Sequence, residues 1–164
     1  MSGGARLEHL VAQAPINANS STPEFVGIYE ASRSLGVDPA DVVAVSQCQF
    51  GRANIEALVD DDTIAFVHPG GVVCSTGSRK LIGKAVKHAE VKFSQCRGFA
   101  PCEHTDDRGF GKFGIEFGGA GNVLLGRVYW RWKAKRFRDS TQAILAVAEE
   151  RDRILGVVSQ FLTA

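Results

Sequence analysis

Between Gly121 and Leu162 the hydrophobic period changes from two residues to a helical one, and few folds accommodate that change. Leu124, Val128, Trp130 and Trp132 fall on one parity, with Arg127, Tyr129, Arg131, Lys133 and Lys135 on the other. A basic face set against an apolar one is the pattern of a half-buried antiparallel strand. After a turn at Arg138-Asp139, Asp139 is placed to cap a long helix, with Gln142 as its capping-box partner. Ile144, Leu145, Val147, Ala148, Ile154, Leu155, Val158, Phe161 and Leu162 make a broad apolar stripe, leaving Glu149, Glu150, Asp152 and Arg153 to the wet side. At 1.5 Å per residue such a helix runs about 35 Å, enough to cover one end of a small curved sheet.

Upstream of it the chain reads as short strands. Val42–Phe50 reads as one strand, and Asn54–Val59 and Thr63–Val67 flank a turn at Asp60-Asp61-Asp62. His68-Pro69-Gly70-Gly71 turns the chain into Val72–Ser75, and Leu81–Lys87 and Ala89–Gln95 give two more extended segments. Residues 97–111 read as an irregular connection, long enough to be either functional or simply mobile. Lys112–Phe117 alternates cleanly, Phe113, Ile115 and Phe117 against Lys112, Gly114 and Glu116, and a glycine-rich hairpin turn follows.

Residues 1–40 form an N-terminal arm, and residues 41–164 the main domain. In the arm, Leu7, Leu10 and Val11 suggest a turn or two of helix, and Ala14–Thr22 is a linker. A firmer helix starts near Pro23, capped by Ser21 or Thr22, with Phe25, Ile28, Tyr29, Ser32 and Leu35 on one face and Gly36 as its stop. This helix either packs on the body of the domain or serves as an interaction arm.

A chain of 164 residues builds a core without disulfides. No apolar run approaches the roughly 18 residues of a membrane span, and Met-Ser-Gly-Gly-Ala-Arg does not begin like a secretion signal. Four scattered cysteines then point to reduced thiols and a cytoplasmic location. The net charge of +1 conceals segregation. Residues 1–78 carry 3 basic and 9 acidic groups, residues 79–138 carry 14 and 5, and residues 139–164 carry 2 and 4. The basic middle either attracts an anionic partner or is a solvated face balanced by acids folded beside it.

No motif points to catalysis, metal or cofactor. Gly109–Gly114 matches G-x-G-x-x-G, but that fingerprint needs a helix after it, and here an alternating strand follows. Cys96, Cys102 and His104 lack the tight spacing of structural zinc. No feature argues for an activated thiol beside His88 or His104, and Asp60–Asp62 read first as a turn. The basic clusters remain. Arg79, Lys80, Lys84 and Lys87 flank a glycine-containing turn, and Arg127–Arg138 holds six cations and no acid. The candidate binding residues are therefore Arg127, Tyr129, Arg131, Lys133, Lys135, Arg79, Lys80 and Lys84. Tyr129 could stack a nucleobase, whereas Trp130 and Trp132 share the apolar parity.

The passage Ala57–Val67, a strand, a polar turn and an apolar strand, resembles a hairpin of the bacterial pleckstrin-homology-like (PH-like) domains. Lys84–Phe93 is similar to their following pair, and Asp139–Leu162 to their capping helix. The resemblance spans about residues 41–162 and departs from the family at Thr63, where a basic residue is expected. It implies an α+β, mainly antiparallel barrel of about seven strands closed by the C-terminal helix. The superfold serves lipid binding, peptide binding and assembly. The expectation is a non-enzymatic binding or scaffold domain without a cofactor. Its foremost partner class is another protein, followed by anionic lipid head groups and then nucleic acid, and oligomerisation is open. The alternative is a small barrel holding an apolar or anionic ligand, or an enzyme using loop 97–111.

Overall fold

The computed structural model describes Leu10 and residues 36–52, 55–58, 63–76, 87–105, 111–131 and 140–162. Nine strands are present among the described residues: β1 (Ala44–Gln47), β2 (Gln49–Arg52), β3 (Ile55–Leu58), β4 (Thr63–His68), β5 (Gly71–Thr76), β6 (Lys87–Lys92), β7 (Gly98–Thr105), β8 (Gly111–Gly118) and β9 (Leu124–Arg131). One long helix, α1 (Ser140–Val158), follows them. All the pairings are antiparallel. They build a four-stranded sheet ordered β1-β4-β5-β6 and a five-stranded sheet ordered β3-β2-β9-β8-β7.

The class is α+β and mainly antiparallel, as expected, but the described strands form two sheets, with no pairing that closes them into a barrel. The stretch expected as one strand over Val42–Phe50 is divided at Cys48, where the chain leaves the four-stranded sheet for the five-stranded one. Both halves have strand composition, so only tertiary pairing locates the bend. Ala57–Val67 is not a hairpin either: β3 pairs with β2 and β4 with β1. The expected loop over residues 97–111 is a strand from Gly98 to Thr105, paired with β8 along its length. Gly98 and Pro101 disguise it in the sequence. Proline is tolerated there because β7 is an edge strand, where a missing N–H need not break a ladder.

The core lies between the sheets and under α1. Phe50, Ile115, Phe117, Val128 and Trp130 line one side, and Ala65, Val67, Val72, Cys74 and Val91 the other. Ile154 and Val158 enter it from α1, each contributing about 1.5–3 kcal/mol by burial. Phe161, just beyond the helix, stacks on Phe93 with ring centroids 6.2 Å apart. The β8–β9 connection needs left-handed backbone at Gly121 (φ 69°) and Asn122 (φ 60°), conformations these two residue types adopt readily.

The helix stripe differs from expectation at two places. Leu145, assigned to the apolar face, is 55% exposed. Glu150, assigned to the wet face, has only 13% of its side chain exposed, because it closes a polar chain across the sheet junction. Trp130 Nε1 donates to Ser46 Oγ (2.8 Å), and Ser46 Oγ donates to Glu150 Oε1 (2.7 Å). Arg153 pairs with Glu150 and donates from Nη2 to the Val45 carbonyl (2.9 Å). Two residues earlier, the Arg151 guanidinium lies 5.3 Å from the Phe113 ring centroid, and its Nη1 reaches the Cys102 carbonyl (3.4 Å). The two arginines thus tie α1 to β1 in one sheet and to β7 in the other. Charges this close to the core persist because each is hydrogen-bonded.

Most of the N-terminal arm, the Asp60–Asp62 turn and the Asp139 cap lie outside the described residues. At the end of the arm, Gly36 has φ 72°, which suits a helix stop.

Candidate binding surface

The strand with the basic parity is β9, the middle strand of its five-stranded sheet, flanked by β2 and β8. Val128 and Trp130 point into the core, 1% and 4% exposed. Alternation therefore sets Arg127, Tyr129 and the backbone position of Arg131 on the opposite face. The ladder arranges this face in rows. Ala100, Glu116, Arg127 and Gly51 form one row, and Cys102, Gly114, Tyr129 and Gln49 the next. His104, Lys112 and Arg131 form the third.

The rows differ electrostatically. Arg127 Nε donates to Glu116 Oε2 across the ladder (2.9 Å), and this bond raises the guanidinium pKa further. A cross-strand pair of this kind contributes about 0.2–1 kcal/mol and cancels the local charge. The face is thus not uniformly basic. In the third row Lys112 stands opposite Arg131, two basic residue types in register near the end of β9.

The Tyr129 ring packs close to Gly114. A Cβ at Gly114 would come within 2.7 Å of Tyr129 Cδ1 and 2.9 Å of Cys102 Sγ, so a glycine is required there. Lys112 Nζ sits 5.4 Å from the Tyr129 ring centroid, a cation–π distance. Burial raises the Tyr129 hydroxyl pKa against the opposing pull of Arg127. The ring is thus packed against Gly114 and Lys112.

Of the residues singled out in the sequence, Arg127, Tyr129 and Arg131 share this face. Arg79, Lys80, Lys84, Lys133 and Lys135 lie outside the described residues. Lys112 and Glu116 were missed as site residues, although their alternation against Phe113, Ile115 and Phe117 already assigned them to the polar side of β8. Their register against β9 was the part no sequence pattern could supply.

Three of the described thiols sit in surroundings that work against activation. Burial pushes the Cys48, Cys96 and Cys102 thiols up, and neighbouring Cys74 adds to the effect at Cys48. Thiols shifted in this direction stay protonated. Among the described residues, no group of three or more His, Cys, Asp or Glu side chains could hold a metal ion. With residues 98–105 in β7, the proposed catalytic loop loses most of its length. No described helix is long and apolar enough to cross a membrane. No protein-family model, curated protein or solved structure matches this chain.

Proposed function

We propose that this protein is a non-enzymatic binding or scaffold domain that engages a protein or an anionic surface through the polar face of β9. The carrying observation is the alternation on that strand: Val128 and Trp130 are buried, while Arg127, Tyr129 and the backbone position of Arg131 fall on the other parity. Within the face, Arg127 is paired with Glu116, and Lys112 stands in register with Arg131 one row further along. An acidic protein surface is the favoured partner, as basic residue types line this face of β8 and β9.

The PH-like reading belongs to the same proposal. Counting β1 with β2 and β3 with β4 as bent strands leaves seven in sequence, a four-strand meander and a three-strand meander before the helix. That order supports the reading. The location proposed with it is the cytoplasm.

Charge reversal at Arg131, Lys133 and Lys135 tests the proposal in a pull-down from native cytosol. Capture should be lost with the melting temperature unchanged. Undiminished capture by the reversed protein refutes the proposal.

A further inference from the structure

The four-stranded sheet is buried on both faces, which a sheet covered by one partner layer would not be. Its inner face carries Ala44, Ala65, Val67, Val72, Cys74 and Val91, all members of the main core. The alternate positions Val45, Ile64, Phe66 and Val73 are 2%, 1%, 0% and 0% exposed, yet they stand apart from that core. Register places Val45, Phe66 and Val73 in one row across three strands, with Ile64 beside them. Strand alternation sends these side chains to the outer face. An apolar patch so completely shielded from water has a cover, and that cover is not part of the core shared by the two sheets and α1.

We propose that this outer face is a docking site for an amphipathic helix, and that its occupant is the chain's own segment Pro23–Leu35. The argument is one of pattern, length and position. Phe25, Ile28, Tyr29 and Leu35 fall on one side of a helical wheel and match an apolar sheet face. Thirteen residues of helix span about 20 Å. Four strands are about 14 Å across, and six residues of strand run about 20 Å, so the segment is the right size for the patch. It also ends in the right place. Gly36, with φ 72°, breaks the helical course, and Pro39–Asp41 then lead through Val42, itself 0% exposed, into β1 at the margin of the same sheet. The rim fits a polar helix edge, since His68 and Glu90 occupy outer-face positions around the patch. The binding surface on β9 belongs to the other sheet, so both can be occupied at once.

The test uses the full-length chain. Nuclear Overhauser contacts from the Phe25 and Tyr29 rings to the Val45 and Val73 methyls are expected in the wild type. A double variant, Phe25→Asp with Ile28→Asp, should lower Tm by about 5–10 °C and expose a surface that binds 1-anilinonaphthalene-8-sulfonate. The comparison variant, Leu81→Asp with Ile82→Asp, alters another apolar segment outside the described residues. If the patch instead contacts Leu81 and Ile82, and only their replacement exposes it, the proposal is overturned. It is equally overturned if dye binding by the wild type rises on dilution, for then a second copy supplies the cover. Should the double variant fail to fold, the wild-type Overhauser contacts alone decide.

Discussion

Replacing Ser46 by Ala should destabilise the protein by about 2–4 kcal/mol, well beyond what a small surface polar change does. Ser46 is 1% exposed, and its hydroxyl is the middle link of the chain from Trp130 to Glu150. Alanine removes two bonds at once. One is a neutral N–H···O bond of about 1 kcal/mol, and the other is a bond to an ionised carboxylate of about 1.5–3 kcal/mol. Trp130 Nε1–H is then left buried without its acceptor. Urea denaturation of the wild type, Ser46→Ala, Trp130→Phe and the double variant forms a closed cycle. In the Ser46→Ala background, Trp130→Phe should cost less than in the wild type, because it deletes the orphaned donor. Coupling of about 0.5–3 kcal/mol is expected. A Ser46→Ala loss below about 0.5 kcal/mol, with additive effects in the cycle, would refute the claim that this chain fastens the helix across the sheet junction.

Three further outcomes follow from burial and geometry. Ile154→Ala should cost about 2–5 kcal/mol by urea denaturation, whereas Leu145→Ala, at a site 55% exposed, should stay within about 0.5 kcal/mol. Equal losses would mean that the buried face of α1 is misassigned. Gly71→Ala should lose about 1–3 kcal/mol or more, because its Cβ would lie 2.1 Å from the Val91 carbonyl oxygen; a neutral result would show that the β5–β6 ladder gives way easily. Burial lowers the His68 pKa below its ordinary 6.5, against the opposing pull of Glu90 and Asp41. The unfolded chain therefore takes up that proton first as pH falls. Stability from this group is complete above 6.5 and declines as pH drops from there towards the lowered folded value. His68→Asn should remove that slope from urea midpoints measured across the window, and an unchanged slope would assign it to other groups.

The parts of the fold legible in the sequence are those where local pattern and tertiary environment agree. Phe113, Ile115 and Phe117 alternate because one face of β8 meets the core, and Val128 and Trp130 do so on β9. The helical period after residue 140 is likewise a direct imprint of the core beneath α1. Illegible features depend on partners distant in sequence. Nothing near Cys48 announces that the strand changes sheets there. β7 carries Gly98 and Pro101, and only pairing with β8 and an edge position make it a strand. Glu150 reads as solvated until Ser46 and Arg153 are placed beside it. The candidate surface shows the same division. The basic parity of β9 was plain, whereas neutralisation of Arg127 by Glu116 and the facing of Lys112 with Arg131 required the ladder register.

Salt dependence of partner capture bears most directly on the claim that the basic face of β9 is the binding surface. Between about 0.1 M and about 1 M salt the Debye length contracts from about 10 Å to about 3 Å, which weakens contacts between exposed charges and leaves apolar ones intact. Partner retained by the immobilised wild-type protein should fall steeply over that range. Retention that is unchanged, or that strengthens with salt, would contradict the account and place the interface elsewhere on the molecule.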